Sequence, residues 1–320
     1  MQRLASLFCA AALLLPATAL HAQTGYPNRP IRLIVPYPPG AGTDIIARTV
    51  GQKLGEILGQ QIVIDNRGGG GGVIGADAGA KAPPDGYTMV LVTSTFAMTP
   101  TLQKPPYDPV RDFTPLVLLA AVPNILVVNP SIPAANLQEL IALARSRELS
   151  YATSGNGTVS HLLTEWLRSL VGGMQLTHVP YKGNAQALTD LLGGHVSIMF
   201  SALPSAIAHI GTNRVRPIAI TSKARSAAVP QVPTFVEAGV PDFVFSSEFG
   251  LLLPARTPRE IVTRLNREIV KILRLADVRE RLAGQGAEPV GNTPEEYAVL
   301  LKADLARWAK VVKAAGIRAD

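Results

Sequence analysis

The sequence has 320 residues and a single cysteine, Cys9. That cysteine sits in the opening stretch MQRLASLFCAAALLLPATALHAQ. Arg3, an apolar run over residues 4–15 and small residues ending at Ala22 give this stretch the pattern of a secretory signal peptide, with the cut expected after Ala22. The run is shorter than the ~20 residues a membrane span needs. Cys9 lies too early in it, without a small-residue lead-in, to suit a lipoprotein signal. With residues 1–22 removed, the mature chain would have no cysteine. Disulfides, thiolate metal sites and cysteine nucleophiles are then excluded, and the product is expected in a periplasm.

Charge is sparse as well. Only 17% of residues are charged, and no run of five or six basic residues occurs despite a formal charge of +7 and a pI near 9.7. Losing Arg3 leaves 7 − 1 = +6. So dispersed an excess disfavours a nucleic-acid groove and mildly favours small anions. No later stretch is apolar and long enough to span a bilayer. His178, His195 and His209 have no metal-ligand spacing, and no Walker loop occurs; no metal or cofactor is expected.

What is present is a packed, apolar chain: 47% hydrophobic residues and a mean hydropathy of +0.23. That exceeds what one small core needs and points to two lobes or one large domain. Strand and helix patterns alternate. Residues 31–37 read as a buried strand, 44–59 as an amphipathic helix stopped by Gly59, 60–66 as a strand, 71–82 as a short helix and 87–94 as a strand. This order predicts a doubly wound α/β sheet. A second α/β unit is expected over about 124–230, beginning with a strand at 124–130. A strand at 249–254 follows, then long helices over 258–275 and 294–315, each opened by proline. The last helix is expected against the first lobe, with crossings near 121–124 and 231–246.

Two loops share one design. IVPYPPGAGTDIIA (34–47) and SYATSGNGTVSHLL (150–163) each run from strand through a glycine-containing loop and a threonine into a helix. Ligands of open α/β sheets bind outside the carboxyl ends of strands. Thr43 or Asp44, and Thr158 or Ser160, can cap the following helix. The first amides of a helix lack internal partners and the dipole is positive there, so two such ends facing across a cleft would hold a carboxylate. Ordinary strand-to-helix turns would look the same one at a time.

Competing motifs fare worse. GGGVIG (70–75) matches a dinucleotide fingerprint, but Thr93, Ser94 and Thr95 stand where its acidic partner is needed. ATSGNG has Ala152 where a nucleophile elbow needs glycine. Ser160 and His161 are adjacent on a helix and should face different ways. Without a nucleophile, base and orienter the chain reads as a binder rather than an enzyme; an exported enzyme acting on a small organic acid is the alternative. Lys182, at a strand's carboxyl end, would pair with an anion or sit at the surface, and Tyr181 would line or cap a cleft.

The stretches YPNRPIRLIVPYPPGAGTDIIAR, NRGGGGGVIGADAGAKAPPDGYT, YATSGNGTVSHLLTEWL, HVPYKGNAQALTDLLGG and FGLLLPARTP together resemble the tripartite tricarboxylate transporter substrate-binding proteins, the TctC or Bug-type receptors, over residues 26–316. The resemblance implies a type II-like periplasmic-binding-protein fold with two α/β lobes, each a mixed or mostly parallel sheet flanked by helices, closing on a small carboxylate. Lobe 1 is expected from 23–123 and 234–320, and lobe 2 from 124–233. The resemblance also implies tripartite transporter membrane subunits as partners, or sensing, and carboxylate capture by backbone amides and bridging waters; a monomer is expected. Carried over, the contacts are Tyr37, Pro39, Gly40, Ala41, Gly42, Thr43 and Asp44, with Ser94 and Thr95 bordering the cleft. In the second lobe they are Gly155, Asn156, Gly157, Thr158, Ser160 and His161, then Tyr181, Lys182 and Gly183.

Three positions depart from that family's pattern. Ser197 and Ser201 stand where it usually has aspartates, which makes an amino-acid ligand a poorer expectation. Glu248 replaces a small or aromatic residue. Facing the cleft, Glu248 would repel a second carboxylate unless protonated or paired, for instance with Lys182. It would equally accept from a hydroxyl or amide, or be a surface glutamate at a strand start.

Overall fold

The computed structural model describes residues 25–37, 39, 42–181, 183–284 and 286–316. The expected signal peptide, Gly40, Ala41 and Lys182 lie outside them.

The first third of the chain folds by period-2 and period-3.6 patterning. β1 (Ile31–Val35) pairs in parallel with β2 (Ile62–Asn66) on one side and β3 (Thr88–Thr93) on the other. Ile31, Leu33 and Val35 point to a core shared with Ile46, Val50 and Leu54 of α1 (Gly42–Leu58), while Ile34 points to the opposite face. A 3₁₀ turn over Gly70–Gly72 leads into α2 (Val73–Ala80) on that second face. There Gly79 lets helix and sheet touch, because a Cβ on Gly79 would lie 2.0 Å from Val90 Cγ2. Gly79→Ala is expected to cost about 1–3 kcal/mol through overpacking, offset in part by about 1 kcal/mol of helix propensity. A lower midpoint in denaturant titration checks this.

α3 (Ser94–Leu102) follows β3 without a loop, and β4 (Phe113–Val128) is a single strand of 16 residues. Both differ from the sequence expectation, which took 87–94 as strand, placed no helix after it and began a strand only at 124. The helix was hidden by Thr95, Thr99 and the internal Pro100. The strand was hidden by Pro115 and Pro123, which interrupt its apolar run. Pro115 is accommodated at a register shift against the neighbouring strand, and Pro123 stands where β4 changes partners.

The elements after β4 follow the expected alternation of helix and strand. They begin with α4 (Leu137–Ser146), β5 (Leu149–Thr153), α5 (Val159–Val171), β6 (Leu176–Pro180), α6 (Asn184–Leu192), β7 (Ile198–Ala202), α7 (Leu203–Gly211) and β8 (Arg216–Ile220). Asn136 caps α4 by accepting from the Glu139 amide. β9 (Ser246–Pro254) returns to the first strands. α8 (Arg259–Leu273) is followed by a separate α9 (Ala276–Gly284) that the sequence reading did not resolve, then by β10 (Glu288–Pro289) and α10 (Pro294–Ala315). A reciprocal Thr293–Glu296 capping box and Pro294 in the first turn start α10.

Among the described residues the strands form one curled mixed sheet in the order β2-β1-β3-β9-β4-β7-β5-β6, with β8 and β10 also pairing β4. β4 joins its halves: residues 113–123 pair antiparallel with β9, and 124–128 with β7 and β8. β3 and β7 consequently run in opposite directions, both toward the partner change. Thr93, at the end of β3, is opposite Phe249, which is opposite Ala120; Ala202, at the end of β7, is opposite Asn124. The two strand ends, with β9 standing between β3 and β4, therefore lie at levels along β4 only 124 − 120 = 4 positions apart, or about 13 Å along the strand at the rise of an extended chain.

α10 packs on α3 and β4, as expected of a first-lobe helix, but also on α5. Trp308 of α10 is fully buried, edge-on to Trp166 of α5 at 6.0 Å and to Phe245 at 5.4 Å. One hydrophobic core thus runs from β1 and β3 through α10 to β5 and β7.

Candidate ligand-binding site

Four strands that end toward the partner change hand over to helix starts, β3 to α3, β5 to α5, β6 to α6 and β7 to α7, whereas β8, which ends at Ile220 opposite Ile125, leads on to β9 without a helix between. β1, parallel to β3, leads to α1. Helix starts bring unpaired amides and positive dipole ends to one region.

On the first side, the Tyr37 hydroxyl is 2.7 Å from Thr93 Oγ1, and the Tyr37 carbonyl accepts from Asn66 Nδ2 at 3.0 Å. Burial pushes the Tyr37 phenol pKa up, so it stays a neutral donor. Thr95, in the first turn of α3, lies beside Tyr37 and Gly71. Asp44 is buried and its carboxylate is engaged: Oδ2 accepts from Arg48 Nε at 2.8 Å and Oδ1 from Asn66 Nδ2 at 3.0 Å. Asp44 therefore ties α1 to the end of β2. Thr43 is buried beside it, with no hydrogen-bond partner for its hydroxyl among the described residues. Gly42 opens α1, and Pro39 is exposed.

On the second side, hydroxyls close the loop. Ser160 Oγ accepts from the Ser154 amide at 3.0 Å and lies 3.1 Å from both Ser154 Oγ and Thr158 Oγ1. Thr158 occupies the N-cap of α5 but makes no capping bond with its side chain; its hydroxyl donates to the Gly155 carbonyl at 2.7 Å. The capping expected of Thr158 or Ser160 is not made, because both hydroxyls turn back into the loop. The amides of Val159 and Ser160 consequently have no acceptor among the described residues. Gly157 has φ +70°, the left-handed region glycine tolerates, and a Cβ there would meet Leu102 of α3 at 2.7 Å. The second-side loop thus rests on a first-side helix.

Ser160 and His161 were expected to diverge, yet both are buried. His161 Nδ1 accepts from the Gly157 amide at 3.1 Å, and its ring stacks on His178 at 4.2 Å. His178 Nε2 is 2.7 Å from Thr153 Oγ1, and its ring stacks on Tyr151, whose hydroxyl donates to Glu165 at 2.6 Å. The loop amide at Gly157 is committed to this support. Tyr181 turns away from the cleft-capping role: its ring packs on the core of α6 and α7, and its hydroxyl donates to Asp190 at 2.7 Å; burial first, and then this bond, raise its pKa to about 12. Gly183 is the N-cap of α6. Asn156 is exposed, and Ser201 is buried opposite Ile125.

Glu248 ties β9 to α3 and α10. Its amide donates to Ser94 Oγ at 2.9 Å, fixing the start of α3, and its carboxyl lies within hydrogen-bonding reach of Asp304 on α10, beside Arg307. Burial and the neighbouring Asp304 push the Glu248 pKa up to about 7, against the opposing pull of Arg307. Asp304 and Arg307 were not foreseen, because nothing in the spacing of α10 marks them as partners of residue 248. Asn124 was also missed. Its amide donates to Thr221 Oγ1 and its side chain to Ser247 Oγ, both at 2.9 Å, pinning the partner change. A lone polar residue within VPNILVV was the available signal. Among the described residues no group of three or more metal-ligating side chains occurs and no helix is long and apolar enough to cross a membrane.

Residues 46–317 match the tripartite tricarboxylate transporter family receptor. The chain is 40% identical to the protein BugT of Bordetella pertussis (strain Tohama I) over 310 residues, 94% of each chain. Among solved structures it is similar to an R. palustris protein with adipate, at 39% identity and a TM-score of 0.82, covering 92% of this chain and 99% of that one. MatC from Rhodopseudomonas palustris with bound malate gives 33% identity and a TM-score of 0.76, covering 90% and 100%. The chain belongs to the tripartite tricarboxylate transporter receptor family, the TctC or Bug-type periplasmic solute-binding proteins.

Proposed function

We propose that this receptor captures a small carboxylate, a dicarboxylate in the first instance, between two lobes formed by residues 23–123 with 234–320 and by 124–233. The observation that carries the reading is that β3 and β7 run in opposite directions and end at nearly the same level along β4, which supports a shared space for the helix starts that follow the strands. The amides of Val159 and Ser160, which have no acceptor among the described residues, with Thr43 on the opposite side, supply donors to an anion. Gly40, Ala41, Gly42 and Lys182 complete the proposed contacts. The solved relatives bound to adipate and malate support the ligand class. Glu248 serves the site through its backbone amide, which holds Ser94 at the start of α3. The chain would be exported by residues 1–22 and would deliver its ligand to tripartite transporter membrane subunits or to a sensor.

Titration calorimetry and thermal shift with malate, adipate and a panel of mono- and dicarboxylates test this. Binding raises the melting temperature without forming product; no binding, or turnover of a panel member, overturns it. Thr43→Pro removes one amide from the first turn of α1. Losing one charge-assisted hydrogen bond of about 1.5–3 kcal/mol is expected to weaken binding roughly ten- to a hundredfold. Unchanged affinity would count against the α1 start as a contact.

A further inference from the structure

The sequence contains one Asn-Gly pair, Asn156–Gly157, at the tip of the loop that leads into α5. Such pairs are chemically labile because the nitrogen of the following residue can attack the asparagine side-chain carbonyl carbon, and glycine offers no Cβ to obstruct the approach. Two features of the fold act on that chemistry. Asn156 is exposed and flanked by Gly155 and Gly157, at φ +129° and +70°, so the tip has the backbone latitude to close a five-membered ring. And the Gly157 amide, the attacking group, donates to His161 Nδ1 at 3.1 Å.

That acceptor is unusual. Most amides in folded chains donate to carbonyl oxygens, which are too weakly basic to take the proton. A neutral imidazole nitrogen can take it, as a general base within hydrogen-bond reach. The bond also fixes the tautomer, with Nδ1 bare and the proton on Nε2. The imidazole is held in place by its stack on His178, itself engaged with Thr153 Oγ1.

We propose that Asn156–Gly157 is a self-modifying site at which His161 promotes conversion of Asn156 to isoaspartate and aspartate. Gly157 N bonds to Asn156 Cγ as its proton passes to His161 Nδ1. The Cγ–Nδ2 bond then breaks, the imidazolium returns the proton to Nδ2, and ammonia leaves a succinimide. Water opens the ring at either carbonyl, giving isoaspartate or aspartate; one water is consumed, one ammonia released, and nothing is oxidised or reduced. The consequence for binding rests on the carboxylate reading above. Either product puts a negative charge beside the unpaired amides of Val159 and Ser160, where it repels an incoming anion and competes for the same donors. Isoaspartate also lengthens the backbone by one carbon and pulls the Gly157 amide off His161. A bound anion, by holding the loop, slows the conversion.

The test ages the purified native protein in mildly alkaline buffer and follows each asparagine by peptide mass mapping. Conversion at Asn156 is expected to outpace every other asparagine, to run at least as fast as in the same protein unfolded in urea, and to fall several-fold in His161→Gln. Asn156→Gln, whose ring closure is far slower, should show no conversion. An Asn156 that stays intact in the native protein while converting in urea overturns the proposal, as does an unchanged rate in a folded His161→Gln protein. If that variant does not fold, the native-against-urea comparison decides alone. The converted form, separated by ion exchange, is expected to lose at least tenfold in affinity for adipate or malate; equal affinity of both forms overturns the functional consequence. Fresh protein that binds no acid in the panel would instead refute the carboxylate reading and leave the mass map to judge the chemistry.

Discussion

Trp308→Ala is expected to cost about 3–5 kcal/mol of stability, the range for truncating a large buried aromatic. Trp308 is fully buried between Trp166 and Phe245, where α10 meets α5. It joins cores that the two halves of the sheet would otherwise bury separately. Its Nε1 is buried with no hydrogen-bond partner among the described residues, so packing accounts for the expected stabilisation. Trp308→Phe discards that orphaned donor and keeps much of the ring, and is expected to recover most of the loss. Denaturant midpoints of the two variants check this; equal losses would show that the indole volume, and not the ring contacts, dominates. Trp166 and Trp308 are the only tryptophans in the sequence. Intrinsic fluorescence therefore reports on this junction, and a shift on adding ligand would register movement of α5 against α10.

Stability is expected to fall as pH rises through neutrality, and Glu248→Gln to abolish that fall. The Glu248 pKa stands at about 7 in the fold against 4.5 for the free group, first through burial and then through Asp304. A carboxyl whose pKa is raised on folding stabilises the fold while protonated. Its contribution is complete below about pH 4.5 and is lost as pH passes through about 7. That difference amounts to about 3 kcal/mol at ~1.4 kcal/mol per pH unit. Asp304 moves in the same direction through burial, so the pair holds a shared proton best in mildly acidic conditions. Asp108 and Glu268 behave oppositely. Backbone amides at Asp108 and the Arg267 and Lys271 side chains at Glu268 lower their pKa values, and their stabilisation disappears only as pH drops below the ordinary carboxylate range. Glu248→Gln keeps shape and hydrogen bonding without titrating. Its melting temperature should exceed that of the unaltered protein at about pH 8 and match it at about pH 5. Parallel profiles would show that Glu248 is not the titrating group.

The alternation of strands and helices, and the loops that lead into α1 and α5, were legible because they are local. Period-2 and period-3.6 patterns, glycines and capping residues need only neighbours in the chain. α3 and the first half of β4 were not legible, since Pro100, Pro115 and Pro123 argue against regular structure unless a partner accommodates them. β9 does so for β4, and it lies more than a hundred residues away.

The sequence by itself determined the class of fold, the places where helix starts follow strand ends, and the family. Tertiary structure alone decided which partners the side chains at those places take. The side chains of Thr158, Ser160, Tyr181 and Asp44, all expected near the ligand, have partners of their own in Gly155, Ser154, Asp190, and Arg48 with Asn66. Glu248 read as a cleft charge, a ligand acceptor or a surface glutamate, and its carboxyl lies within hydrogen-bonding reach of Asp304 on the last helix. Polar side chains find partners by proximity in space, and a hydrogen bond between residues 56 positions apart leaves no mark on the spacing of either.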